Sequence, residues 1–182
     1  LGEKFSFSLG PENGESVVTA LRFGLEWTYR TPIQVWALRS RFSWGLDALD
    51  STINGSSYPD SRFFCWLGQF QWARRMQLMN MQVIFRADLQ LSRDPLLPLE
   101  QIAVGGRYSV RGYRENQMVR DNGFISSLEL RIPLVENKPW AESLQLAPFA
   151  DFGRAWNEDL PVPSSDEFKS IGSVGIGIRW AV

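Results

Sequence analysis

The chain has 182 residues, 44% hydrophobic and 21% charged, with 19 Lys and Arg against 20 Asp and Glu. That length suggests one domain, and a net charge of −1 offers no basic surface of the kind that grips nucleic acid. The absence of histidine excludes a Ser-His-Asp triad, a histidine base and any histidine-ligated metal, and the single cysteine, Cys65, excludes an intrachain disulfide and a cysteine-rich metal site.

The chain opens at Leu1-Gly2-Glu3-Lys4 without a signal peptide, so a leader has been removed or the chain is a piece of something longer. No apolar run is long enough for a transmembrane helix. A transmembrane barrel is compatible with this, because its strands place apolar residues at alternate positions. A short first strand is expected near Phe5–Leu9. From Ser16 to Arg30 the odd positions Val17, Thr19, Leu21, Phe23, Leu25, Trp27 and Tyr29 form an apolar face, and Arg22, Gly24, Glu26, Thr28 and Arg30 a polar one. The same alternation runs through Trp36-Leu38-Ser40-Phe42-Trp44 and Phe64-Trp66-Gly68-Phe70-Trp72. It is cleanest from Met79 to Ser92, where Met79, Met81, Val83, Phe85, Ala87, Leu89 and Leu91 share one face. It returns in Phe124-Ser126-Leu128-Leu130-Ile132, more weakly in Leu144, Leu146 and Phe152, and again in Val174-Ile176-Ile178-Trp180. Pro148 predicts a bulge or a missing ladder bond in its strand. About eight strands and no helix are expected.

Three features favour a membrane barrel over a soluble sandwich. Several strands are long, whereas soluble strands average about 5–6 residues and a tilted membrane-spanning strand needs roughly 9–11. Connections alternate between short (Thr31-Pro32, Arg74–Leu78, and an intermediate Pro133–Glu142) and long (Asp47–Ser61, Arg93–Gln117, Asn157–Lys169), as in outer-membrane barrels. Tryptophans gather at strand ends, with Trp27, Trp36, Trp72 and Trp180 toward the short turns and Trp44, Trp66 and Trp156 toward the long loops. That pattern predicts two interfacial girdles.

The longest loop carries Gly105-Gly106-Arg107-Tyr108-Ser109-Val110-Arg111-Gly112-Tyr113. Val110-Arg111-Gly112-Tyr113 resembles the Val-Arg-Gly-aromatic motif of the outer-membrane assembly and two-partner secretion superfamily. Pro95-Leu96-Leu97-Pro98-Leu99-Glu100-Gln101 and Ala103-Val104-Gly105-Gly106 before it are similar to the transporters of the hemolysin secretion/activation type. So are Arg120-Asp121-Asn122-Gly123, Leu128-Glu129-Leu130-Arg131-Ile132-Pro133-Leu134, Pro148-Phe149-Ala150-Asp151-Phe152-Gly153-Arg154 and Gly175-Ile176-Gly177-Ile178-Arg179-Trp180 after it. The resemblance covers nearly the whole chain and is strongest from about Arg93 to Trp180.

The resemblance implies a transmembrane 16-strand barrel in the bacterial outer membrane, of which residues 1–182 are a partial barrel domain of about eight strands, roughly the seventh to the fourteenth. Residues 93–120 are the long loop that folds back into the lumen. The amino-terminal helix, the periplasmic domains and the closing strands of the family are not in this stretch, so it reads as a fragment with two open edges. In the family the loop's arginine pairs with acids of the inner wall; the matching positions are Arg111, Asp151 and Glu129. Strand parity supports this independently, since both acids fall on polar faces. At about 3.3 Å per residue both lie roughly 15–20 Å below the long-loop rim, within reach of the loop. Gly105, Gly106 and Gly112 are expected to let the backbone pack closely, and Tyr113 to wedge against the lumen wall.

The resemblance further implies export of a large secreted exoprotein, with the lipid bilayer as second partner and no nucleotide energy source, cofactor or enzyme activity. An assembly factor for other barrels and a stand-alone eight-strand structural barrel are the alternatives. An eight-strand lumen is filled by side chains and has no room for such a loop. A soluble lipid-binding barrel is disfavoured by the loop alternation and the girdles. Glu129 and Asp151 as a glycosidase pair are disfavoured because Arg111 would keep both ionised. Cys65 reads as an inert small residue, Asn54-Gly55-Ser56 as a loop turn and Pro161-Val162-Pro163-Ser164-Ser165-Asp166 as an exposed loop.

Overall fold

A computed structural model describes residues 15–54, 58–138, 141–158 and 169–181. The strand expected near Phe5–Leu9 and the loop at Pro161–Asp166 lie outside the described residues, as do Gly55 and Ser56. The described chain is all-β apart from one 3-10 turn. Its strands are β1 (Thr19–Arg30), β2 (Gln34–Leu46), β3 (Phe64–Arg75), β4 (Gln82–Ser92), β5 (Ile102–Val104), β6 (Met118–Arg120), β7 (Asn122–Lys138), β8 (Ala141–Trp156) and β9 (Lys169–Ala181). Seven of them form one antiparallel sheet in the order β1-β2-β3-β4-β7-β8-β9, and β5 and β6 form a separate ribbon inside the long loop. The sheet is a partial barrel wall that does not close on itself.

Register turns the period-two pattern into two continuous faces. Phe23 pairs with Phe42, Phe42 with Trp66 and Trp66 with Leu91, so one side carries the apolar set. That set continues through Phe85–Leu128 and Leu144–Trp180. The other side carries Arg22, Arg39, Arg41, Gln69, Arg86, Asp88, Gln90, Glu129, Arg131, Asp151 and Arg179. The long loop lies over this polar side, while the apolar side is open: Leu21 is 66% exposed, Val174 83% and Ile178 75%. The ordinary inside-out logic of a soluble sheet is therefore reversed. What is buried lies under the loop. One cluster contains Val104, Val110, Met118, Ile125 and Ala155, and a second Phe63, Cys65 and Leu96. Cys65 is thus a packed small residue, as its place between Phe64 and Trp66 suggested.

Three local expectations need correction or sharpening. Met79 and Met81 do not begin a strand: Leu78–Asn80 is a 3-10 turn in which Met79 and Asn80 have φ of 52° and 53°, and β4 starts at Gln82. The alternation of Met79, Asn80 and Met81 fits either structure, and the turn wins because β3 has to reverse there. Pro133–Glu142 is mostly strand, since β7 runs to Lys138 and β8 resumes at Ala141. A register shift between Pro133 and Val135 absorbs the proline. Pro148 causes no bulge; its pairing with Ile176 is in step, and the ladder lapses only toward β7, opposite Leu130. The turn at Thr31-Pro32 is tight because the Thr31 hydroxyl accepts from Gln34 N at 3.1 Å and Thr31 N donates to the Gln34 carbonyl at 2.8 Å.

Candidate functional site: a loop clasped to the polar face

The loop leaves β4 through Asp94, whose Oδ2 accepts from Phe64 N at 2.9 Å, and through Leu96 and Leu97, both fully buried. Its two ends are tied by Asp121 and Asn122. Asp121 Oδ1 accepts from Leu96 N and from Gln101 Nε2, each at 2.9 Å, and Oδ2 from Glu158 N at 3.1 Å. Asn122 Oδ1 accepts from Ser92 N at 2.7 Å, and Asn122 Nδ2 donates to Glu158 Oε1 at 2.9 Å. Two residues therefore hold the outgoing strand, the returning strand and the start of the next loop. Burial pushes the Asp121 carboxyl above its ordinary range, against the three N–H donors and Arg120, which pull the other way.

Asp121→Asn keeps the Oδ1 contacts but sets an amide N–H2 against the Glu158 N–H. We expect about 1–2 kcal/mol of lost stability, read as faster hydrogen exchange over residues 93–101. The pH sign is defined as well. A raised folded pKa means that the folded state holds the proton more tightly than the unfolded chain, whose carboxyl titrates near about 3.9. The contribution of Asp121 is fullest below that value and is lost as pH rises through the raised one. Asparagine removes this slope.

Beyond the knot, β5 and β6 pair from Ile102–Arg120 to Val104–Met118 and carry the loop across the sheet. Gly105 and Gly106 turn it with φ of 113° and 104°, and Ser109 N donates to the Gly106 carbonyl at 3.2 Å. Gly112 has φ of 87°, but an added Cβ would meet nothing there, so its backbone conformation rather than close packing requires glycine. Val110 is fully buried over Gly153 of β8, where any Cβ would collide with Val104 and Val110. Ile102 sits in the same way over Gly123. These two glycines on the polar face are seats for the loop.

That seating aims Arg111 at β7 and β8. Its Nε donates to Asp151 Oδ2 and its Nη2 to Asp151 Oδ1, both at 2.7 Å, a bidentate fork, while its backbone N donates to the same Oδ2 at 3.0 Å. Its Nη1 donates to Glu129 Oε2 at 2.7 Å and its Nη2 to Ser127 Oγ at 3.1 Å. The guanidinium lies 3.6 Å from the Phe149 ring centroid, and an added Cβ at Gly175 would lie 2.6 Å from the Phe149 ring on its neighbouring strand. Glu129 is shared further: Arg131 Nε and Arg179 Nη2 each donate to Oε1 at 2.9 Å. The Asp151 side chain is fully buried, Glu129 is 9% exposed and Arg111 24%. The acids and the arginine named from the sequence thus meet. Tyr113 lies further on, its hydroxyl donating to the Gly172 carbonyl on β9 at 3.2 Å. At the opposite edge the Arg22 guanidinium of β1 pairs with Glu100 of the loop. The loop therefore spans the sheet from its first strand to its last.

Sequence reasoning missed the knot of Asp121 and Asn122, the seats at Gly123 and Gly153, and Phe149. Nothing local marks these residues, because their partners come from distant parts of the chain. The arrangement is one of binding and holding, and among the described residues no group of three or more acid, cysteine or histidine side chains is placed to hold a metal ion.

Comparison with known proteins follows the same lines. The profile of the family described as haemolysin secretion/activation protein ShlB/FhaC/HecB matches residues 12–180. Among solved structures, CdiB from Escherichia coli matches with a TM-score of 0.68 and 23% sequence identity, over 88% of this chain and 30% of that one. At that identity the likeness speaks for the fold, and the chain spans under a third of the length of CdiB. A comparison with curated proteins finds no match.

Proposed function

The chain belongs to the haemolysin secretion/activation protein family ShlB/FhaC/HecB, and from that premise we propose that it forms part of the wall and the inner loop of an outer-membrane transporter that exports a large exoprotein of the hemolysin or adhesin type. The observation that carries this is the two-faced sheet with the loop clasped to its polar side. The open side, with Leu21, Phe23, Val174 and Ile178 outward, suits acyl chains, which need no hydrogen bonds. Its strands of 11 to 17 residues meet or exceed the roughly 9–11 a tilted span requires. The polar side, with both signs of charge, suits a wet channel through which an extended chain can pass.

On this reading the loop of residues 93–120 sits in the lumen, and the Arg111 clasp fixes it there. The 182 residues carry no phosphate-binding Gly-x-x-x-x-Gly-Lys motif. The proposed energy source for export is the client's own folding outside the cell. The test is an export assay with the full-length protein and its exoprotein in intact cells. Exoprotein in the medium, with periplasmic markers retained, is the expected result. Exoprotein held in the periplasm despite a folded transporter overturns the proposal.

A further inference from the structure

A cleft of about 260 Å3 lies between the tip of the loop and β4 and shares Arg111, Ser127 and Glu129 with the clasp. Its wall holds four arginines, Arg86, Arg107, Arg111 and Arg179, against two carboxylates, Asp88 and Glu129. Glu129 is committed, whereas Asp88 forms no ion pair among the described residues but lies near enough to Arg86 to attract it electrostatically. Glu129 is shared by Arg111, Arg131 and Arg179. Asp88 Oδ1 accepts from Gln69 Nε2 at 3.2 Å. Asp151, beneath, is taken by the Arg111 fork. Two of the arginines have no such partner: among the described residues no carboxylate lies within ion-pair distance of the Arg86 or the Arg107 guanidinium. Glu115, on the other side of the loop tip, accepts from the Arg107 backbone N–H at 2.9 Å. Arg107 instead lies 5.8 Å from the ring centroid of Tyr108, which is 88% exposed.

A cleft with surplus guanidinium groups and an uncovered aromatic ring at its mouth is built for an oxyanion carried on something with an apolar body. The geometry points to a docking site for the aspartate and glutamate side chains of the polypeptide in transit, with Arg86 and Arg107 taking the carboxylate and Tyr108 packing beside it; this rests on the transport reading above. Arg86 stands directly opposite Ser127, a partner of Arg111, so an acid bound there arrives beside the clasp and competes for the same guanidinium groups. Because the two free arginines are solvent-facing, each contact is weak and salt-screened. A passing chain is therefore held briefly at each acidic residue and then let go.

The test uses the full-length protein in detergent and a fluorescein-labelled oligo-glutamate peptide, followed by anisotropy. Binding is expected, and R86Q/R107Q is expected to weaken it about tenfold, as two exposed contacts allow. Oligo-lysine should not bind. Inorganic phosphate at the same charge concentration should displace the peptide only weakly, because it has nothing to lay on Tyr108. No binding, equal binding by the double variant, or full displacement by phosphate overturns the inference. Export of the exoprotein from intact cells carrying the same protein separates the two readings. Export without peptide binding overturns the cleft alone, and peptide binding without any export overturns the transport reading and with it the client named here.

Discussion

Replacing Arg111 with alanine should free the loop of residues 93–120 from the sheet and cost about 3–5 kcal/mol in its docking, because it strands a buried carboxylate. Asp151 would lose both arms of the fork, and its side chain is fully buried. Glu129 would fare better, since Arg131 and Arg179 still reach its Oε1. Exposed ion pairs contribute about 0–1 kcal/mol, so the size of the effect separates a clasp from surface decoration. Hydrogen exchange across 93–120 reads it directly: protection should collapse there while the seven strands keep theirs. Arg111→Lys should fall between the two. An ammonium is a point donor and cannot serve Asp151 as a fork while also reaching Glu129 and lying flat on Phe149. Unchanged protection in the alanine variant would mean that the apolar seat alone holds the loop.

Replacing Gly153 with valine should lift the same loop by a different route. An added Cβ already collides with Val104 and Val110, and valine brings two methyl groups more. Overpacking of this kind costs about 1–3 kcal/mol, and this site belongs at the upper end because Val104 and Val110 are fully buried with no room to retreat. Val110→Ala by itself leaves a small cavity and costs stability too. Combined with Gly153→Ala, the two changes should cancel in part, a coupling that a double-mutant cycle resolves. Strict additivity would place Val110 away from β8.

The strands and their faces were legible because alternation is written residue by residue, and seven of the eight expected strands fall where the pattern put them. It failed at Met79–Met81, where an apolar-polar-apolar triplet served a turn, and at Pro133–Glu142, where Pro133 and Glu136 disguised the continuation of β7 to Lys138. Arg111, Glu129 and Asp151 could be paired because parity put both acids on one face and the resemblance supplied the arginine. Asp121, Asn122 and Gly153 could not. Their partners, such as Leu96, Ser92, Glu158 and Val110, lie 25 to 43 residues away, and nothing local distinguishes a glycine that seats a loop from one that relieves a twist. Phe149 looked like a lapse in the polar face, and its use became visible only with a guanidinium stacked on it.

The most direct measurement of the central claim, that this loop lies docked on the inner face of the wall, is disulfide formation between cysteines placed at 110 and 153 in the full-length protein in intact outer membranes. A Cβ added at Gly153 would lie 2.8 Å from Val110 Cγ2, which is disulfide reach, and the exterior of the cell favours oxidation. With Val104→Ala added to remove the Cγ1 that would lie 2.4 Å from the new Cβ, V110C/G153C should close spontaneously, shifting mobility on a non-reducing gel, and Arg111→Ala in that background should slow closure. Two free thiols that both react with maleimide while the barrel stays folded would contradict it.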